Sequence, residues 1–488
     1  MTDTQINGLD PQQQQAYNWA IEGKNIFLTG DAGTGKSYTL NTIIDALRLD
    51  KTRAVLVSAP TGIAALNIDG VTVHSLLKIR PDTNLFDAPS ASVVGHLRNV
   101  FRRKTTLIID EVSMLRADLF DYLISAIRLL EIKNPDYHVQ LILSGDFYQL
   151  PPVVTKEDYD MLETRYPHKY PYYAFNGNYW SALDLENAVL RETHRQKSDS
   201  QLARALDAIR TNSPYKADAI NFINQQTASK PLDTAITICG KNLTATQFNS
   251  QSLRQIDNPL HTFKAYAVKF AKSSRPAPDL LELKTAARVM MLTNGVTDDG
   301  DEYYNGDLGT VISINARSAN TYQQGDVEIE VELDRGPIVS VNWHEWNAYE
   351  YVKSGKKLKK QAKGSFFQIP LKLAYAITVH KSQGQTFDAV NFYPEIFATG
   401  QLYVALSRVR SIKNLYLYQK ITPDQAHGNP QVAHFYRSLE GQHGVSGYDP
   451  VLGAYIDQKR YKVLKFLANL PDNEFEKYYN ALADVAKK

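Results

Sequence analysis

Over its first 150 residues the chain repeats one rhythm: a short apolar, β-rich run, a turn containing Gly or Pro, then a segment with helical periodicity. The runs are NIFLT (25–29), AVLVS (54–58), TLII (106–109) and VQLIL (139–143). Strands that are apolar throughout and separated by helices predict a parallel sheet covered on both faces. From about Arg195 the helical period returns in QLARALDAIR (201–210), with further strand candidates at 236–239 and 372–378. Between these two candidates the period changes. Val327, Ile329, Val331 and Leu333 alternate with Asp326, Glu328, Glu330 and Glu332, the signature of a strand with one wet face. With VISI (311–314) before it and IVSVNW (338–343) after it, this stretch predicts a small antiparallel barrel inserted into a second α/β domain. The segment from about Val451 reads as a polar-faced helix.

Composition narrows the class. At 488 residues, 43% hydrophobic and 22% charged, the chain is an ordinary globular one with room for about three domains, and disorder, collagen and a membrane bundle are excluded. Its 54 Lys+Arg against 52 Asp+Glu leave +2, a total that neither supports nor excludes a nucleic-acid partner. With Cys239 as its single cysteine it forms no internal disulfide, zinc finger or cysteine-ligated cluster, which points to a reducing compartment. The start, MTDTQINGLDPQQQQ, lacks a charged segment followed by an apolar run, so a cytoplasmic rather than secreted protein is expected, with no membrane partner. Six lysines between Lys353 and Lys363 read either as a solvated hairpin tip or as a phosphate-contacting patch.

Candidate chemistry begins at Gly30-Asp31-Ala32-Gly33-Thr34-Gly35-Lys36-Ser37, which fits G-x-x-x-x-G-K-[ST] directly after one strand and before a helix. Glycines let the backbone N–H groups of Gly33, Thr34 and Gly35 turn inward around phosphates. Lys36 then reaches the outer phosphate oxygens, and the Ser37 hydroxyl is placed for Mg²⁺. At the end of another strand, Asp110 is the expected second magnesium ligand and Glu111 the general base for the attacking water. Gln149, in SGDFYQLPP (144–152), can donate and accept and is the candidate γ-phosphate sensor. Charge on the transferring phosphoryl group also calls for arginines from outside the loop, and Arg195 and Arg408 are the candidates.

Eight motifs in order resemble the superfamily 1B DNA helicases, most closely their Pif-type branch, with RecD-like and Dda-like relatives. They are 30–37, SAPTGIAA (58–65), TVHS (72–75), IDEVSM (109–114), GDFYQLPPV (145–153), THRQ (193–196), AYAITVHKSQGQT (374–386) and YVALSRVRS (403–411). The resemblance implies an α/β fold of two RecA-like domains with ATP between them and single-stranded DNA across both. The expected boundaries are 1–190 for the first domain, with a small wedge insertion at 75–104 and LFDAPSAS (85–92) as its exposed loop. The second domain is expected at 191–284 and 367–430, an SH3-like insertion at 285–366 and a helical segment at 431–488. By the same resemblance Arg195 and Arg408 face the nucleotide across the cleft. Gln13, in a run of four glutamines, reads the adenine edge, and Gly384 contributes to the nucleotide site. DNA contacts fall on Pro60, Thr61, Gly62, Thr72 and His74, and on Thr378, His380, Lys381 and Ser382. Short hydroxyls and backbone N–H groups at these places suit phosphates rather than bases. The aromatic stretch 166–180 reads as core and domain packing, with a base-stacking platform as the other reading.

The implied function is an ATP- and Mg²⁺-dependent 5′-to-3′ DNA helicase of bacterial or phage-like type. It would act as a monomer on single-stranded DNA and on duplexes with a 5′ tail, with assembly on DNA left open. The alternatives are an RNA helicase or other P-loop nucleic-acid motor, and a DNA-binding module with a vestigial ATP site. The second alternative conflicts with the presence of Lys36, Asp110, Glu111 and Arg408 together.

Overall fold

The computed structural model describes residues 8–80, 83–192, 199–227, 230–296, 300, 302–316, 327–354 and 357–440. Arg195 with its THRQ motif, Asp326 and the segment from Val451 lie outside these residues, as do the side chains of 353–360 in the lysine-rich stretch. Two compact units are present: Met1–His194 with Tyr349–Gln361 and Asn429–Lys488, and Arg195–Ala348 with Ala362–Gly428. Among the described residues no helix is long and apolar enough to cross a membrane.

In the first unit the strands β1 (Ile26–Gly30), β2 (Ala54–Ala59), β3 (Val71–Thr72), β4 (Lys104–Ile109), β5 (His138–Ser144) and β6 (Glu186–Leu190) form one sheet in the order β3-β2-β4-β5-β1-β6. Every pairing in it is parallel. The helices are α1 (Pro11–Glu22), α2 (Lys36–Leu49), α3 (Gly62–Asn67), α4 (Val73–Leu77), α5 (Ala91–Val100) and α6 (Ala117–Lys133). The central strands carry apolar side chains on both faces because both faces are covered. Ile26, Leu28, Val57, Ile108 and Ile142 pack under α1 and α2, while Phe27, Leu56, Leu107, Ile109, Leu141 and Leu143 pack under α4 to α6. The sheet thus contains all four expected strands and two more, β3 and β6, which are short or polar enough to lack a pattern of their own.

Three segments of this unit pack into its core. Within the expected 75–104 insertion, α5 buries Val93, Val94, Leu97 and Val100 in the same cluster as α6. In the loop before it, Phe86 packs against Ala117, Leu162 and Tyr166. The helix Pro430–Glu440, at the start of the expected helical segment, contributes Val432, Phe435 and Tyr436 to the main core cluster. Phe435 stacks on Phe175 with ring centroids 4.4 Å apart and meets Phe27, Phe147 and Trp180 at 5.4–5.9 Å. The aromatic stretch 166–180 is therefore core, with Tyr166, Tyr173 and Trp180 buried.

The second unit carries a smaller parallel sheet, in the order 376–378, 236–239, 390–392, 415–417. The expected single strand at 372–378 is two strands. Leu371–Leu373 pairs antiparallel with Arg288–Met291, and Ala376–Thr378 pairs parallel with Ile236–Cys239. The Asn249 side chain makes the switch by accepting from Tyr375 N and Ala376 N and donating to Ala376 O. Val327–Leu333 shows the expected alternation, with its four apolar side chains buried between antiparallel neighbours Leu308–Ala316 and Ile338–Val341. This antiparallel region starts earlier than 285, because His261–Lys264 and Leu280–Leu283 pair with each other and bury Phe263, Leu281 and Leu283 in the same cluster.

The alternation has a direct test. Val331→Asp places an unpaired carboxylate among buried apolar groups and should cost several kcal/mol in chemical denaturation. Glu332→Gln, on the exposed face, should stay within about 0.5 kcal/mol.

Candidate nucleotide and DNA site

The loop between β1 and α2 is shaped by close approach. Gly30, Gly33 and Gly35 have φ of 148°, 83° and 81°, a region that favours glycine. A Cβ at Gly30 would lie 2.3 Å from the Leu190 carbonyl oxygen of neighbouring β6, so no side chain fits. Lys36 opens α2 and folds its ammonium over the loop, donating to Gly30 O at 2.8 Å and Asp31 O at 2.9 Å. Thr34 is buried and its hydroxyl donates to Asp31 O, whereas Ser37 in the first turn of α2 is exposed. The loop thus combines a helix N-terminus with a cation folded over a glycine-rich turn, a set suited to phosphate.

Gln13 is the glutamine that reaches this loop. Its Nε2 donates to Thr34 O at 3.2 Å, while its Oε1 accepts from Asp10 N in a capping box at the start of α1. Gln12 instead accepts from Arg191 N, and Gln14 donates to Asn18, so burial and contact single out one of the four glutamines.

Asp110 follows β4, with its N–H on Ser58 O. Burial pushes its carboxyl pKa up, while the Ser144 hydroxyl, the Glu111 N–H and the Lys36 charge pull the other way. A partly buried carboxylate beside the glycine-rich loop, with the Ser37 hydroxyl on the adjoining helix turn, is a hard-oxygen donor set that suits Mg²⁺ completed by nucleotide oxygens. Ser144 had drawn no role from its sequence. Its only signal was its place at a strand end just ahead of Gly145. Glu111 has φ 52° and ψ 40°, a left-handed conformation uncommon outside glycine. That geometry turns the chain sharply after Asp110, so two consecutive carboxylates leave the strand in different directions.

The segment after β5 is locked from within. Gly145 N donates to Leu28 O, and a Cβ on Gly145 would press on Val112 at 3.0 Å. Asp146, almost fully buried, accepts from Tyr148 N at 3.0 Å and from Gln149 Nε2 at 3.3 Å. Gln149 is likewise buried.

The sequence-derived DNA positions fall into two groups. In the first unit, Thr61 caps α3 by accepting from Ala64 N, and Thr72 caps α4 by accepting from Ser75 N. Pro60 and Gly62 flank the first cap. Both hydroxyls thus sit at helix N-termini, where amides favour anions. His74 is half-buried, and burial with the Arg116 charge lowers its pKa. In the second unit, Lys381 is exposed, and burial lowers the pKa of His380. Thr378 and Ser382 are buried, and the Ser382 hydroxyl donates to Val379 O, so Ser382 shapes the turn instead of offering its hydroxyl outward. Gly384, with φ 78°, has open space where a Cβ would stand. Arg408 is buried, and its guanidinium donates to Val404 O, Ser382 O, Gln385 O and Ser407 Oγ. Through these bonds it ties the end of the helix Gln401–Leu406, just ahead of it, to the 374–386 motif.

A PIF1-like helicase family pattern matches residues 8–199. Pif1 from Bacteroides sp., solved in complex with ADP-AlF4, is 30% identical and superposes with a TM-score of 0.74 over 89% of this chain and 97% of that one. The chain belongs to the PIF1-like helicase family. The Bacteroides Pif1 structure in complex with ADP-AlF3 and ssDNA is 31% identical, with a TM-score of 0.61 over 88% of this chain and 97% of that one. Human ATP-dependent DNA helicase PIF1 is 31% identical over 91% of this chain, and the chain spans 65% of its length.

Asp110 supplies a stability test. A carboxyl whose pKa is raised on folding favours the folded state below its unfolded pKa and loses that contribution as pH rises through the folded value. The ionised form of the group is therefore a net cost to the folded state. Asp110→Asn, which removes that charge, should raise the nucleotide-free Tm at a pH where the carboxyl is ionised, while the extra stabilisation given by Mg²⁺-nucleotide over nucleotide alone should disappear.

Proposed function

We infer that this chain is an ATP-dependent DNA helicase. The observation that carries the reading is the joint presence, in one unit, of a glycine-rich loop with Lys36 folded over it, the partly buried Asp110 and strained Glu111 at the end of β4, and hydroxyl-capped helices at Thr61 and Thr72. Its relatives are named as helicases of this kind, and related structures hold an ADP–metal fluoride with ssDNA.

In the mechanism, the amides of Gly33, Thr34 and Gly35 and the Lys36 ammonium bind the β- and γ-phosphates of ATP, and Gln13 sets α1 against the loop. Ser37 and Asp110 would hold Mg²⁺, which would neutralise developing charge on the phosphate oxygens. Glu111 takes the proton of the attacking water, and Gln149 senses the γ-phosphate. Arg408, with Arg195, supplies the remaining positive charge; engaging a phosphate requires Arg408 to exchange some of its carbonyl partners. Thr61, Thr72 and His74 in one unit, and Lys381 with the 378–382 backbone in the other, grip the DNA backbone without reading bases, so a strand can be passed along as the grips alternate. Opening one stacked base-pair step costs about 1.4 kcal/mol, less than one ATP provides. Movement runs 5′ to 3′.

Lys36→Ala should abolish DNA-stimulated ATP hydrolysis and unwinding while nucleotide-free binding of ssDNA stays within about twofold, since the lost ammonium serves phosphate transfer. Unwinding by that variant would refute the site. On matched duplexes, a 5′ tail should support unwinding and a 3′ tail should not. RNA stimulating ATPase as well as ssDNA would favour the broader nucleic-acid motor.

A further inference from the structure

Tyr436 stands on the helix Pro430–Glu440, about 290 residues downstream of the SGDFYQ motif, yet its hydroxyl sits inside that motif. The oxygen lies 2.7 Å from Thr29 Oγ1, accepts from Phe147 N at 3.1 Å and stands 3.3 Å from Asp146 Oδ1. A phenol has one proton and two lone pairs. One assignment satisfies every contact: Thr29 and Phe147 donate to the Tyr436 oxygen, and Tyr436 donates to the Asp146 carboxylate. The ring stacks on Tyr148, with centroids 4.6 Å apart and planes 14° from parallel. Thr29 is the residue before Gly30, where the phosphate loop begins, and the other oxygen of Asp146 accepts from Gln149 Nε2. Thr29, Asp146, Phe147, Tyr148, Gln149 and Tyr436 are all buried. A single hydroxyl thus joins the end of β1, the turn after β5 and, through one carboxylate, the side chain of Gln149.

We propose that Tyr436 is a positioning residue for γ-phosphate sensing: it orients Asp146, which holds Gln149 in its working rotamer relative to the phosphate loop. The proposal rests on the reading of Gln149 as sensor. The requirement is physical. Gln149 can rotate about three bonds, and a neutral amide discriminates a γ-phosphate only if its direction is fixed in advance. A buried carboxylate fixes it only if its own plane is fixed, and donors to Asp146 that include Tyr148 N, Gln149 Nε2 and the Tyr436 hydroxyl do so. In sequence, the helix that carries Tyr436 begins one residue after Asn429, where the chain re-enters the first unit, so the γ-phosphate sensor is completed by a segment about 290 residues away in the chain.

Tyr436→Phe removes the hydroxyl and keeps the ring. In the full-length protein, affinity for ADP should stay within about twofold, while affinity for ADP with aluminium fluoride and the DNA-stimulated kcat should each fall about tenfold at unchanged KM for ATP, the effect of one bond to a charged group. Gln149→Ala should show the same selective loss, and the double variant should be no worse than Gln149→Ala alone. A purely structural role for Tyr436 predicts instead equal weakening of both nucleotide complexes and a loss that multiplies with that of Gln149→Ala; either result overturns the proposal. Wild-type behaviour of Tyr436→Phe beside an impaired Gln149→Ala overturns the role of Tyr436 alone, whereas wild-type behaviour of Gln149→Ala overturns the sensor reading on which it rests. If Tyr436→Phe does not fold, Asp146→Asn leaves every buried ring in place and should give the same split between ADP and ADP–aluminium fluoride; equal weakening of the two again overturns the proposal.

Discussion

Everything in the first unit is arranged around one close approach, that of the chain at Gly30 to the Leu190 carbonyl of β6. A sheet buried on both faces lets β1 end deep in the protein, where the chain must turn at once to expose its amides at the start of α2. That turn is open only to residues without a Cβ, and once made it fixes where Lys36, Thr34 and Ser37 stand. Gln13 from α1 and Asp110 from β4 are then set by their own strands and helices against the same loop. The candidate phosphate site is thus a property of the sheet's strand order as much as of the eight residues that line it.

Burial is the second constraint. Asp110 is partly, and Asp146, Gln149 and Gln13 almost wholly, taken out of water, and each is held by named partners: Ser144, Glu111 N–H and Lys36 for Asp110, Tyr148 N and Gln149 Nε2 for Asp146, the Asp146 carboxylate for Gln149, and Thr34 O and Asp10 N for Gln13. Such groups cost stability unless satisfied, and when satisfied they hold one geometry. The left-handed backbone at Glu111 belongs to the same economy of strain, since it sends two adjacent carboxylates along separate directions.

Much of the fold was legible because its signals are local. Fully apolar runs announced four of the six strands, since strands covered on both faces cannot alternate; Val327 to Leu333 alternated because one of its faces is wet. β3 and β6 carried no such signal. β3 has two residues, and β6 contains Glu186 and Asn187, so their places come from register with stronger neighbours. The division of 372–378 between two sheets was hidden for a related reason: a continuous apolar run does not record which partner each half pairs with, and the Asn249 side chain decides it. Within the 75–104 stretch expected as an insertion, Val93, Val94, Leu97 and Val100 stand at helical spacing and find a partner in α6.

The sequence by itself determined the nucleotide chemistry: a glycine-rich loop between strand and helix, a carboxylate pair at a strand end and the SGDFYQ turn each lie within ten residues, where spacing alone dictates geometry. Only the tertiary structure decided which glutamine of four meets the loop, that Ser382 turns its hydroxyl inward, that Arg408 is bound up with the 374–386 motif, and that Tyr436 reaches Asp146. These are contacts between residues brought together by the packing of buried surfaces, and no local pattern encodes them, because the free energy that forms them belongs to the whole core and not to any one segment.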